Sequence, residues 1–277
     1  MKLKHLKIFI MLIVFLLVFS MFSNNKAIKM VGRDIKNNET SSNATLTIVY
    51  DNYEYDNRLK TGFGFSCLVK TKNKSILFDT GSDSETLLGN MEKLGINPKD
   101  IGIIVLSHIH WDHVGGLKGF LEKNSDVEVY VPKSFPSDFK NEIKSYGASV
   151  IDVYDTIKIF DGIYSTGELG VPIKEQSLII KTEKGLIVIT GCAHPGIVNI
   201  VKESKRLTKE DIYLVIGGFH LGGKSDYEIR DILESFRKLG VKKVAPCHCT
   251  GDGAINLFKE EYKEDFIKVG VGKEIRV

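Results

Sequence analysis

No Gly-x-Ser-x-Gly elbow occurs in the 277 residues, which removes serine-hydrolase chemistry. No P-loop is read from the chain either, which sets nucleotidase chemistry of that kind aside. An excess of one charge is also lacking. The formal net charge of +3 comes from the first 33 residues, where Lys2, Lys4, Lys7, Lys26, Lys29 and Arg33 stand without an acidic residue. With those six set aside the remainder is at −3, and a mildly acidic body gives no bulk electrostatic reason to bind nucleic acid. Cysteine is limited to Cys67, Cys192, Cys247 and Cys249. Three of the four flank histidines, which favours ligands or site-lining thiols over a disulfide framework, and a Cys247–Cys249 bond would close too tight a ring. Tryptophan is represented by Trp111 alone.

One long apolar run is present, Ile8 to Phe22, interrupted by Ser20 and preceded by Lys2, Lys4 and Lys7. It is shorter than the ~20 residues of a membrane span and fits the core of a secretory signal. The following Phe-Ser-Met-Phe-Ser-Asn-Asn is a poor cleavage site, so a signal peptide and an uncleaved signal anchor both stay open. Either reading places the body outside the cytoplasm, secreted or anchored, with the membrane as a partner if the segment is retained. The expected organisation is a signal peptide or anchor over 1–23, a flexible polar linker over 24–44, and a folded domain over 45–277. With 43% hydrophobic residues, that domain can bury a substantial core.

The chemistry concentrates in histidine. Of the seven, only His5 lies outside strand-end loops. Ser107-His108-Ile109-His110-Trp111-Asp112-His113-Val114-Gly115-Gly116 places four metal-ligating side chains within six residues. It follows Ile101–Leu106, an apolar run with the length and β-branching of a buried strand, and two glycines then let the backbone turn away. Imidazole and carboxylate together suit zinc, and also manganese or iron.

The rest of the chain alternates short strands and helices. Strands are expected at Thr45–Tyr50, 62–70, 75–81, 127–131, 149–153, 156–160, 162–166, 176–182, 185–190, 211–216 and 241–245. Helices are expected from Ser84 to Leu94, from Ser137 to Tyr146, after His194-Pro195-Gly196 with the proline near the first turn, and from a capping box at Ser225–Glu228.

A His-x-His-x-Asp-His run after a hydrophobic strand resembles the signature of the metallo-β-lactamase superfamily, over roughly Thr45 to Val277. The later motifs Thr190-Gly-Cys-Ala-His194, Gly217-Gly-Phe-His220 and Pro246-Cys-His248-Cys-Thr-Gly251 are similar to a subgroup labelled as resembling the dihydropterin-ribofuranosylaminobenzene phosphate synthase. The resemblance implies an α/β fold, a four-layer αββα sandwich with the site at one edge. It also implies one or two divalent metal ions, zinc first.

On that basis His108, His110 and His194 are assigned to the first metal, and Asp112, His113 and His248 to the second. Asp79, in Asp79-Thr-Gly81, is expected to orient a ligand. Where the family often has Thr-Gly-Asp with a bridging aspartate, this chain has Thr190-Gly191-Cys192. Cys192 either ligates in its place or lines the wall, and Glu168 competes with His194. Asp112 and His220 are the candidate catalytic residues, Asp112 as proton acceptor and His220 in substrate contact or proton transfer. The implied activity is hydrolysis of a small anionic ester, a phosphoester first, by metal-activated water. The alternatives are a lactonase or thioesterase on the same metals, and a membrane-tethered binding or sensing module with a degenerate site.

Overall fold

The computed structural model describes residues 44–277; the signal or anchor reading of 1–23 and nearly all of the 24–44 linker lie outside the described residues. Ala44 already belongs to the fold, since it is buried and its carbonyl accepts the Val277 N–H at 3.0 Å.

Thirteen strands form two sheets among the described residues. In the first, β1 (Thr45–Tyr50), β2 (Ser66–Lys70), β3 (Ser75–Phe78), β4 (Ile103–Val105), β5 (Glu128–Pro132), β6 (Ser149–Val153) and β13 (Glu274–Arg276) lie in the order β13-β1-β2-β3-β4-β5-β6. In the second, β7 (Ile157–Phe160), β8 (Ile163–Ser165), β9 (Leu178–Thr182), β10 (Gly185–Thr190), β11 (Ile212–Gly218) and β12 (Lys243–Cys247) lie in the order β12-β11-β10-β9-β8-β7.

Alternating apolar residues make the inner faces. Ile48, Val69, Ile76 and Val105 from the first sheet share one core with Ile163, Ile180, Ile189 and Ile216 from the second. The outer face of the first sheet packs under α1 (Ser84–Lys93), α3 (Leu117–Lys123) and α4 (Ser137–Ser145) through Leu87, Phe120 and Ile143. The outer face of the second packs under α5 (Ile197–Thr208), α6 (Asp226–Lys238) and α7 (Asp252–Tyr262) through Val201, Phe236 and Phe258. The result is the expected αββα sandwich, because a sheet apolar on both faces must be covered on both.

The Ser225 capping box is present with both of its hydrogen bonds. Two local expectations are corrected. Pro195 precedes α5 rather than opening it, because a turn closed by Gly196 N–H on Ala193 O (2.9 Å) intervenes and Gly196 caps the helix. Gly115 and Gly116 are not a sharp turn. Both have right-handed helical backbone, and what they supply is room: a Cβ would sit 2.0 Å from Ser82 O or 2.1 Å from Thr80 O.

Candidate metal centre

The topology gathers the site. Strands β3, β4, β5 and β6 run parallel, as do β10, β11 and β12, so within each set the C-terminal ends fall at one edge. Asp79 follows β3, the His108–His113 run follows β4, Cys192 and His194 follow β10, His220 follows β11 and His248 follows β12. Asp112 and His113 lie in a single helical turn, α2 (Trp111–Val114). Asp79, Ala193, His220 and His248 all have φ between 50° and 62°. Such strained non-glycine backbone concentrates where a side chain must be aimed.

His108, His110 and His194 form one donor group, with ligand atoms within 4.8 Å of one another. His108 Nε2 and His110 Nδ1 are 3.1 Å apart. The hydrogen-bond network assigns the tautomers. Ser107 Oγ donates to Asp79 Oδ2 (2.7 Å), so it must accept from His108 Nδ1–H (2.9 Å). His194 Nδ1–H donates to Glu175 Oε2 at 2.9 Å. The Nε2 lone pair of each ring is left for a ligand.

Asp112, His113, Cys192 and His248 form a second, buried group. His113 Nε2 is 3.2 Å from Cys192 Sγ and 3.4 Å from Asp112 Oδ2. His248 Nε2 is 3.4 Å from Cys192 Sγ and 3.2 Å from Asp112 Oδ2. His113 Nδ1–H donates to Asp79 Oδ2 (2.7 Å) and His248 Nδ1–H to Asn52 Oδ1 (3.0 Å). The two groups adjoin, with the His108 and His113 ring centroids 4.2 Å apart.

The donor set fits divalent cations. Bonds of about 2.0 to 2.3 Å around a tetrahedral ion place its donors roughly 3.3 to 3.8 Å apart, close to the separations found. The ion partners of Asp79, Asp112 and Glu175 are histidines, so buried carboxylates here meet groups that ligate metals when neutral. Burial opposes charge on His113, yet Asp79 and Asp112 raise it to about 10, which puts a positive charge where the ligands converge. Burial, with its cationic neighbours, lowers His108 to about 2 and keeps it a neutral donor. The Asp112 carboxyl is held well below its ordinary range, because hydrogen bonds from His113 and His248 outweigh its burial. In the protein alone the Cys249 thiol lies against Cys192 and pushes the Cys192 thiol up. A cation held by Cys192 would reverse this, since coordination deprotonates a ligating thiol.

All seven proposed metal-ligating side chains thus reach one of the two groups. Glu168 does not. Its Oε1 accepts from Ser134 N at 2.6 Å, away from the histidines, because Gly167 (φ 79°) and the Glu168 N–H bond to Tyr154 O turn that loop back toward β6. His220 stands beside the first group, its ring 4.6 Å from that of His194.

Two supporting residues escape the sequence reading. Glu175 accepts from the backbone N–H groups of Cys192, Ala193 and His194 at 2.8–3.0 Å as well as from the His194 ring. Asn52 grips both ends of His248, its Nδ2 donating to the His248 carbonyl at 3.2 Å. Neither stands in a recognisable motif. A further correction concerns Gly218–Ser225, which does match the Gly-x-x-x-x-Gly-Lys-Ser spelling of a phosphate loop. Geometry is what excludes that role here: Lys224 pairs with Glu228 at 3.1 Å, and the Ser225 hydroxyl is consumed in the cap of α6.

The family description "Metallo-beta-lactamase superfamily" matches residues 59–205. The chain is 35% identical to the 7,8-dihydropterin-6-methyl-4-(beta-D-ribofuranosyl)-aminobenzene-5'-phosphate synthase of Methanocaldococcus jannaschii, over 83% of this chain and 95% of that protein. It is 28% identical to a ribonuclease Z of Nanoarchaeum equitans over 54% of this chain and 52% of that one. A crystal structure described as a metal-dependent hydrolase of the beta-lactamase superfamily superposes with TM-score 0.72 at 31% identity, covering 84% of this chain and 99% of the other.

These findings also correct the placement outside the cytoplasm. That expectation rested on residues 1–23 alone. The finding against it is the match to the synthase of M. jannaschii across nearly that protein's whole length. The secreted or anchored placement is withdrawn.

Proposed function

The chain belongs to the metallo-beta-lactamase superfamily, and from that premise we propose that it is a metal-dependent hydrolase of a small anionic ester, a phosphoester first. The observation that carries the reading is the pair of adjoining donor groups, three histidines beside Asp112, His113, Cys192 and His248. A divalent cation held by such residues supplies Lewis acidity and brings the pKa of water from 15.7 toward ~7. His108, His110 and His194 would hold one ion and the other four residues a second, with zinc favoured by the imidazole and thiolate donors.

The protein groups have separate tasks. Hydrogen bonds from His113 and His248 favour the ionised form of Asp112, and its carboxylate would accept a hydrogen bond from the attacking water and orient it. Asp79, Asn52, Glu175 and Ser107 hold the imidazoles in one tautomer and one orientation. His220, exposed at the rim, presents a ring N–H to an anionic oxygen; contact with Cys249 raises its pKa and favours that donor form. The ribonuclease Z relative acts on a phosphodiester-linked polymer by its name, and the synthase is named for a 5'-phosphate product. Both support a phosphate ester. The synthase also supports a second reading, group transfer to an acceptor other than water on the same ions.

The test is a panel of phosphodiesters, phosphomonoesters and lactones assayed with zinc- and manganese-loaded protein. Phosphodiester turnover abolished by chelation and by His110→Ala is the expected result. Full activity in His110→Ala would sink the reading. Turnover that appears only with an added nucleophile supports transfer, and lactone turnover without phosphodiester turnover replaces the phosphoester.

A further inference from the structure

A third donor group lies beside the second one. Cys192 Sγ, Cys249 Sγ and a ring nitrogen of His220 fall within 4.8 Å of one another. We propose that these three side chains bind a further thiophilic cation of the zinc class, with the Cys192 sulfur bridging it to the Asp112–His113–His248 group.

The position of Cys192 motivates the bridge. Its sulfur is 3.2 Å from His113 Nε2 and 3.4 Å from His248 Nε2, and it also lies within 4.8 Å of Cys249 Sγ and a ring nitrogen of His220. A thiolate has lone pairs for two ions, and sulfur donors select zinc, copper(I) and similar ions over magnesium or calcium. Two sulfurs and one imidazole are three protein ligands, the number that leaves a zinc site one position for an outside group. Donors of one such ion sit roughly 3.3 to 3.8 Å apart, so the group needs to contract by no more than about 1 to 1.5 Å.

The surrounding backbone is shaped for these side chains. Gly218 approaches so closely that a Cβ there would stand 2.7 Å from Cys249 Sγ. His220 is held at φ 52°, a left-handed conformation that strains a non-glycine residue. Its loop is tied to the Cys249 turn by Phe219 N–H donating to Thr250 Oγ1 at 3.1 Å, while Thr250 Oγ1 donates to Cys247 O at 2.6 Å. Burial runs from Cys192 (buried) through Cys249 (partly buried) to His220 (exposed). An ion would therefore have an entry side, past His220. The other ring nitrogen of His220 stays available for an anionic oxygen.

The proposal is tested by counting ions and does not depend on the hydrolytic reading. Full-length protein is stripped with chelator, refilled with zinc under reducing conditions and measured by elemental analysis. The wild type is expected to take about three equivalents, and Cys249→Ser and His220→Ala about two each. With cobalt in place of zinc, the sulfur-to-metal charge-transfer absorption should fall in Cys249→Ser while the remaining ions stay bound. Saturation of the wild type at two equivalents overturns the proposal, as does a Cys249→Ser variant that still takes three. Loss of every ion in Cys249→Ser with an unchanged circular dichroism spectrum also overturns it, because the first group shares no ligand with the third.

Discussion

Asp79 shows how much one side chain is asked to do. Fully buried, it accepts from the His113 ring, the Ser107 hydroxyl and the Ser107 N–H at 2.6–2.7 Å. It thereby orients one imidazole of the second group directly and one of the first group through Ser107. Asp79→Asn turns one accepting oxygen into a donor and scrambles both tautomers. We expect metal affinity to fall roughly 10- to 100-fold, measured by competition with a chromophoric chelator. Glu175→Gln should act mainly on the first group, since its ring contact is with His194 through Oε2, while an amide oxygen in place of Oε1 would keep the Cys192 and Ala193 N–H bonds.

Asp51 gives the pH dependence. It is fully buried, its Oδ2 has no hydrogen-bond partner, and burial raises its pKa to about 6. The folded state thus holds a proton that the unfolded chain releases near the ordinary value of 3.8. In the pH window from about 4 to 6 the native form binds more protons, so this residue's contribution to stability falls as pH rises and is fully lost above 6. Asp51→Asn should remove that slope and stabilise metal-free protein at pH 7.5 by on the order of 2 kcal/mol, with little gain at pH 4. Urea midpoints at the two pH values read the difference.

At the scale of elements, the site depends on parallel strands ending together. The helical turn carrying Asp112 and His113 must lie flush against the loop after β3, and Gly116 permits that contact. Gly116→Ala drives a methyl group into Thr80 O, and overpacking of this kind costs about 1–3 kcal/mol. We expect a lower thermal midpoint together with weaker metal binding, because the same turn bears two ligands. Ser225→Ala is the contrasting case. It removes the cap of α6, about 1 kcal/mol, and Ser225 belongs to no donor group, so stability should drop while the ion count holds. A matching fall in ion count would mean that α6 supports the site.

At the scale of the whole molecule, the first and second donor groups are each assembled from both sheets. His108, His110, Asp112 and His113 come from the first, and Cys192, His194 and His248 from the second. Cations that bind across the seam stabilise the folded chain by mass action, about 4 kcal/mol at a thousandfold excess over Kd. For a domain of this size that corresponds to a fall in thermal midpoint on the order of 10 °C upon chelation, measured by scanning calorimetry. An unchanged midpoint would show that the donors do not hold an ion between the sheets.

Periodicity and motif spelling reach a definite distance into this protein. Thr45–Tyr50, Ser149–Val153 and Gly185–Thr190 are strands at the predicted bounds, because alternation and β-branching are local properties. The His108–His113 run announces its chemistry for the same reason, with four donors in six residues. No local pattern announces Trp111–Val114, Leu117–Lys123 or Glu274–Arg276, since short helices and an edge strand take much of their stability from what they pack against, and Asp252–Tyr262 begins at Gly251 without a side-chain cap. Only the folded chain places His194 rather than Glu168 beside His108 and His110, turns the Cys192 thiol toward His113 and His248, and sets Asn52 and Glu175 against the histidine rings. Those outcomes depend on contacts between residues as far apart as Asn52 and His248, and no short-range pattern records a distance that the packing of two sheets creates.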